Sequence, residues 1–209
     1  MRTALVIFVA GLVALLVPSV SNAEFTVQIP DKTIMSGSSA IDSFFDVFFE
    51  SVTGDPDLAA YMITLRLVGS GGNSGSVEFI SPFVANPVNP IFPSNPPLTN
   101  TNPYDKSDAT TIRAHADLPA GSELIANGKG LMRVLFRVSP MAAGTWDVVC
   151  DIDKGAKTSF TDAEGTEYLD GVDYTVDAGR ITVVVPEPAA LLAGMPLLAL
   201  VACRRRRDA

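Results

Sequence analysis

The sequence predicts an all-β domain, a two-sheet antiparallel β-sandwich, held between two apolar chain ends. Three observations carry that expectation. Residues 24–184 contain about nine or ten short runs in which apolar and polar side chains alternate. Clusters of turn-forming residues, such as Gly54-Asp55-Pro56-Asp57, separate the runs. No part of this region shows the 3.6-residue apolar period of an amphipathic helix, so the apolar face of one sheet must be covered by another sheet.

At the N-terminus, Met1-Arg2-Thr3 carries one positive charge, residues 4–17 are apolar, and Ser21-Asn22-Ala23 places small residues where a signal peptidase reads. Residues 1–23 therefore read as a secretory signal peptide, a signal helix cleaved between Ala23 and Glu24. The competing reading, an uncleaved anchor, is opposed by that cleavage site. The cysteine a lipoprotein needs there is missing.

The domain opens with a strand over residues 25–29. Phe45, Val47 and Phe49 then alternate with Asp46 and Glu50, and Tyr61, Ile63, Leu65 and Leu67 alternate with Thr64 and Arg66. The turn at 54–57 makes these two runs a hairpin or a short arch. Residues 77–80 continue the pattern and residues 110–116 resume it. Between them, residues 82–104 hold seven prolines and five asparagines with scarcely any periodicity. Proline donates no ladder hydrogen bond, so this segment reads as a long extended surface loop, tacked to the domain by Phe83, Ile91 and Phe92. It serves either as an edge cover or, through exposed aromatics beside amides, as a polysaccharide contact. Met132, Val134, Phe136 and Val138 face one way while Arg133 and Arg137 face the other. Runs at 146–152, 157–160, 166–169 and 180–184 complete the set, with Asp162-Ala163-Glu164-Gly165 as a hairpin turn between Phe160 and Tyr168.

Charge and cysteine usage narrow the function. The whole chain has a net charge of −8. Without Arg2, the four terminal arginines, Glu187 and Asp208, residues 24–184 keep ten basic and 21 acidic residues, a net charge of −11. Such a surface repels phosphate backbones, which argues against a nucleic-acid partner. Cys150 is the only cysteine of the exported domain and cannot form an internal disulfide. In Trp146-Asp147-Val148-Val149-Cys150-Asp151-Ile152 it shares a strand face with Trp146, Val148 and Ile152, so it reads as a small core residue and not as a nucleophile.

Signals for chemistry are sparse. Asp151, Asp153, Asp162 and Glu164 are the candidate calcium ligands, with Asp55 and Asp57 a weaker pair, but their spacing is not that of an EF-hand loop. The lone His115 has no second histidine or metal-spaced cysteine beside it, which argues against zinc. Gly-Ser-Gly-Gly-Asn-Ser-Gly at 69–75 lacks the Lys-Ser/Thr ending of a phosphate loop and reads as a strand connection. Carboxylate pairs suited to glycoside hydrolysis can be drawn by chance from so many acids. Phe44, Phe48, Tyr104 and Tyr168 are the residues from which a sugar-stacking row could be built. No catalytic, cofactor-binding or metal-binding residue is assigned.

The C-terminus is the most specific stretch. Val185-Pro186-Glu187-Pro188 breaks the strand pattern, residues 189–203 are apolar, and Arg204, Arg205, Arg206 and Arg207 form a basic cluster before Asp208-Ala209. An uncharged apolar run ended by arginines reads as a transmembrane helix stopped on the cytoplasmic side. Fifteen residues fall short of the roughly 20 a spanning helix needs, and Pro196 interrupts them, so residues 183–185 or the arginine stems have to complete the span. The order of these three parts over residues 185–209 resembles the PEP-CTERM sorting signal. That resemblance implies that Pro186, Glu187 and Pro188 are recognised by an exosortase, a membrane-embedded sorting enzyme. It also implies delivery with an exopolysaccharide matrix. Pro196 and the Asp208-Ala209 extension depart from the pattern; an ordinary stop-transfer anchor is the alternative.

A second resemblance covers most of residues 24–184. Asp46-Val47-Phe48-Phe49-Glu50, Asp57-Leu58-Ala59-Ala60-Tyr61, the run Gly130 to Val138, Ala143-Gly144-Thr145-Trp146, Phe160 to Gly165 and Gly179-Arg180-Ile181-Thr182-Val183 together look like the cohesin-like sandwich. That fold is a nine-stranded jelly roll shared with some carbohydrate-binding modules. Cohesins bind dockerin domains, but none of the matched positions is a recognition position, so the resemblance implies fold alone. The expectation is an exported, non-catalytic structural or binding protein of the cell envelope or extracellular matrix, with polysaccharide or another surface protein as partner. The alternative is a secreted polysaccharide-acting hydrolase.

Overall fold

The computed structural model describes residues 24–99, 107–151 and 158–186. Residues 1–23, read above as a signal peptide, Tyr104, Asp153, and everything from Glu187 onward, including Pro188 and Arg204 to Arg207, lie outside the described residues.

Among the described residues there is no helix, and fourteen strands build the domain. In chain order they are β1 (Phe25–Gln28), β2 (Lys32–Met35), β3 (Ile41–Ser51), β4 (Asp57–Leu58), β5 (Ala60–Gly69), β6 (Val77–Ala85), β7 (Leu98–Thr99), β8 (Thr111–Asp117), β9 (Glu123–Leu124), β10 (Lys129–Val138), β11 (Gly144–Cys150), β12 (Ser159–Thr161), β13 (Tyr174–Asp177) and β14 (Gly179–Val184). A five-stranded sheet runs β13-β1-β3-β10-β6 and a seven-stranded one β2-β14-β11-β5-β8-β7, with β12 also on β5. A two-stranded sheet, β4 with β9, closes one end of the core under Leu58 and Ile125.

The expected sandwich is present, with one correction to its pairing. β1 and β2 are a single extended stretch that crosses from the five-stranded to the seven-stranded sheet, and β13 and β14 cross with it. β1 lies parallel to β13, and β2 lies parallel to β14. The crossing is tight: a Cβ on Gly179 would stand 2.5 Å from the carbonyl oxygen of Ile29, so no larger side chain fits without displacing backbone.

Alternation works where it was strongest. Phe45, Val47, Phe49, Ile63, Leu65, Val134, Phe136 and Val138 all point into the core. The two sheets are joined by aromatic rings. Phe160 of β12 meets Phe25 of β1 edge-on at 5.1 Å and Tyr174 of β13 edge-on at 5.0 Å. Each such pair adds about 0.5–1.5 kcal/mol beyond its buried area.

Several boundaries differ from the expectation for identifiable reasons. The turn at 54–57 is an arch, because β3 and β5 belong to different sheets. Residues 166–169 do not form a strand. The Asp162 turn closes with the Gly165 amide on the Asp162 carbonyl and the Thr166 amide on the Asp162 carboxylate, and Tyr168 N donates to Phe160 O at 2.9 Å, which leaves only a bridge between Thr161 and Glu167. Pro82 to Ala85, assigned to the loop, continue β6. Proline is tolerated there because β6 is an edge strand and its register against β10 shifts between Val134 and Phe136. The middle of the proline-rich segment does cover the domain: Ile91 and Phe92 are buried, Phe92 stacks on Tyr61 at 5.9 Å, and Ile91 N donates to Gly130 O at 2.9 Å.

That cover rests directly on β10. A Cβ on Gly130 would lie 2.5 Å from both Pro87 Cβ and the Val88 carbonyl oxygen. Gly130→Ala should lower the urea unfolding free energy by about 1–3 kcal/mol, the usual cost of overpacking. Gly37→Ala, where no atom stands within 4 Å, should leave the midpoint nearly unchanged.

Candidate functional site

Two outer sheet faces are available to a ligand, and they are chemically different. On the five-stranded sheet, cross-strand neighbours satisfy one another. Arg133 lies opposite Asp46 and grips it with two hydrogen bonds of 2.8 and 2.9 Å; Arg137 does the same to Asp42 at 2.6 and 2.9 Å. The Arg137 fork holds the Asp42 carboxyl below the usual carboxylate range, and Asp42 in turn pushes the guanidinium pKa up. Gln28 donates to Glu50, and the Thr26 and Thr175 hydroxyls meet at 3.1 Å. The face is closed upon itself.

The aromatic residues expected to form a sugar-stacking row are not assembled into one. Phe44 is 43% exposed, but the Arg133 guanidinium sits 4.0 Å from its ring centre and the Lys32 ammonium 5.5 Å away, so both cations occupy the surface a sugar would use. Phe48 is half-buried. Tyr168 packs edge-on against Phe25 and its hydroxyl donates to Asp57 O at 2.7 Å; burial pushes that phenol up to about 12. Tyr104 lies outside the described residues.

The outer face of the seven-stranded sheet is more open. Register places Ser159, Met62, His115 and Leu98 in one row across β12, β5, β8 and β7. Ala60, Met62, His115, Asp117, Ser159 and Thr161 line a shallow cavity of about 270 Å³. Leu98 and Val68 are exposed. Leu98 lies at the Met62 end of the face, whereas Val68 lies at the far end of β5 beyond Arg66, which pairs with Asp151 at 3.4 Å, and opposite Asp147, which pairs with Arg180 at 2.7 Å. Sequence reasoning placed His115 on a strand but gave it no neighbours; they come from β5 and β7, which are far away along the chain.

Beneath the face runs a buried polar chain that local sequence did not signal. Arg113 Nε donates to Thr64 Oγ1 at 3.2 Å, Thr64 N donates to Thr158 Oγ1 at 3.1 Å, and Thr158 Oγ1 donates to Asp151 O at 3.0 Å. Thr64 and Arg113 are both buried. Alternation marks them as outward-facing; among the described residues, Ser107, whose hydroxyl bonds both the amide and the carbonyl of Arg113, and Thr158, on the Thr64 amide, stand over them.

Cys150 is half-buried, packed against the core as its strand face predicts, with Sγ 3.0 Å from Thr158 Oγ1. Burial pushes its thiol up to about 11; Asp170 and Asp151 add to the rise and the Thr158 hydroxyl opposes it. The candidate calcium ligands do not converge. Asp151 faces Arg66, Asp162 accepts the Thr166 amide at 2.7 Å to close its own turn, Glu164 is exposed, and Asp153 is outside the described residues. Among the described residues, no three histidine, cysteine or carboxylate side chains stand close enough to hold a metal ion. Of the terminal sites, Glu24 donates its amide to Asp173 O at 2.7 Å and leads straight into β1, and Pro186 is exposed just past the end of β14.

Comparison with family models and with curated protein sequences gives no match. Solved structures do match. The third cohesin ScaC of Acetivibrio cellulolyticus, solved in complex with the ScaB dockerin, aligns with a TM-score of 0.55 over 77% of this chain and 99% of its own, at 14% identity. A type III cohesin module from the cell-surface anchoring scaffoldin ScaE of Ruminococcus flavefaciens aligns with a TM-score of 0.52 over 78% of this chain and 89% of its own, at 12% identity. At such identities the likeness is one of fold, and the cohesin-like sandwich expected from the sequence is the fold found.

A thiol whose pKa is about 11 is almost wholly protonated at pH 8. Peptide-mapped alkylation of native protein should therefore modify Cys150 at least tenfold more slowly than the same cysteine in urea, where its pKa returns to about 8.5. The native rate should climb as pH approaches 11. Thr158→Val, which removes the hydrogen bond favouring the thiolate, should slow it further.

Proposed function

We propose that this chain is an exported, non-catalytic binding protein of the cell surface or matrix, whose sandwich captures a protein partner on the outer face of the seven-stranded sheet. The observation that carries this reading is the contrast between the two faces. One has its charges neutralised in place by cross-strand forks. The other places Met62 and Leu98 beside His115 at a shallow cavity edged by Asp117, with the Arg66–Asp151 and Arg180–Asp147 pairs, and Val68 between them, farther along the strands. Apolar side chains set among polar groups are what protein interfaces use. The cohesin-like fold, with one such relative solved on its dockerin, supports a protein partner over a polysaccharide. The acidic surface disfavours nucleic acid.

Delivery follows from the two ends of the chain. Residues 1–23 direct export and are removed before Glu24, which already lies at the edge of the folded domain. Residues 185–209 then hold the protein in the membrane through 189–203, with Arg204 to Arg207 in the cytoplasm, until an exosortase reads Pro186, Glu187 and Pro188 and passes the domain to the exopolysaccharide matrix. The exposure of Pro186 supports access to that motif.

A photoreactive amino acid at Met62 or Val68, in the producing cell, should yield a covalent adduct with a protein; the same group at Thr26 on the opposite face should not. Equal adducts from all three positions, or none from any, would remove the assigned face. Separately, replacing Pro186, Glu187 and Pro188 by alanine should leave export intact and abolish processing of the tail; unchanged processing would leave an ordinary anchor.

A further inference from the structure

Three loops from distant parts of the chain, residues 36–40, 70–76 and 139–143, are bonded into one pole around the end of β14. Ser36 N donates to Val184 O at 2.9 Å, Met141 N to Gly37 O at 2.9 Å, Ser74 N to Ala143 O at 2.9 Å and Ser139 N to Ser76 O at 2.9 Å. None of these loop residues is charged, nor is any of residues 184–186, although the domain carries −11. The opposite pole holds Glu24, Asp55, Glu123, Asp162, Glu164 and Glu167, in segments bonded to one another through Ile125 N to Pro56 O and Glu24 N to Asp173 O. The neutral pole also exposes large apolar side chains: Met35 at 56%, Met141 at 59% and Val184 at 40%. Met141 adopts a φ of 57° in the turn after β10, a left-handed conformation uncommon for a long side chain that holds it at the surface.

Where the chain leaves says what this pole faces. Pro186 is exposed there, and only Glu187 and Pro188 separate it from the apolar run 189–203. Three Cα steps of 3.8 Å reach roughly 11 Å, no more than about the depth of a lipid headgroup layer and its margin. A domain tethered that closely cannot stand clear of the bilayer.

We propose that the neutral pole is a membrane-seating surface: in the unprocessed chain, the sandwich rests on the bilayer with Met35, Met141 and Val184 among the lipid headgroups and its acidic pole turned away. This rests on the anchoring by residues 189–203 proposed above. Methionine suits the task, because its flexible apolar stem adapts to an irregular surface. Absence of charge from the loops avoids both desolvation and repulsion by anionic lipid, the nearby Asp42 is neutralised by Arg137, and the acidic pole, kept farthest from that lipid, adds to the orientation.

The test uses the full chain, exported, purified in mild detergent and reconstituted in vesicles of phosphatidylcholine and phosphatidylglycerol. Cys150 and Cys203 are replaced by serine, and a fluorophore is attached at a cysteine introduced by Met141→Cys, by Ser38→Cys or, at the acidic pole, by Leu124→Cys. The protein should float with the vesicles, and headgroup-spin-labelled lipid should quench positions 141 and 38 several-fold more than position 124. Flotation with equal quenching at the three positions overturns the seating and leaves the anchor standing. Failure to float overturns both. Energy transfer between chains labelled at 141, without quenching by lipid, assigns the pole to a second copy and also overturns the proposal.

Discussion

The domain depends on the crossing at which its first and last strands change sheets together. β1 and β13 complete the five-stranded sheet, and β2 and β14 extend the seven-stranded one. The side chains they bring, Phe25, Val27, Tyr174, Ile181 and Val183, are buried at the seam between the layers. The close approach at Gly179 and Ile29 lets both strands switch at the same level.

From this frame the division of labour between the faces follows. Strands β3 and β10 run side by side for most of their length, so Asp42 and Asp46 find Arg137 and Arg133 directly across the ladder. Planar guanidinium forks suit that geometry, and Phe44 beneath one of them adds a stacked surface. The other sheet splits its pairing: one side of β5 is shared by β11 and β12, and its far edge carries only the short β7. The gap between short neighbours is where the shallow cavity opens beside Met62 and His115.

Legibility in the sequence tracked how sharply a strand's two sides differ. β3, β5 and β10 have one side in the core and one toward water, and their alternation identified them with the correct inward residues. β2 and β13, four residues each at sheet edges, offer too few side chains for a period to show. Pro82 concealed the second half of β6, because a proline tolerated at an irregular edge is indistinguishable in sequence from a proline that ends a strand. Residues 166–169 misled in the opposite direction: they alternate, but a turn four residues earlier bends them away from any ladder. The site was less legible than the fold. Partners such as Arg133 and Asp46 lie 87 positions apart, and no local pattern encodes that register. Thr64 likewise bonds Thr158, 94 positions away.

The parallel clasp also has a mechanical meaning. β14 is flanked along its length by β2 on one side and by β11 on the other, and it ends where the polypeptide emerges at Pro186. A pull on that exit, directed along the strand, loads both ladders in shear, so that all their hydrogen bonds resist at once. A pull across the strand would open them one by one. A load that reaches the domain at Pro186 and runs along β14 would thus be carried in its strongest direction.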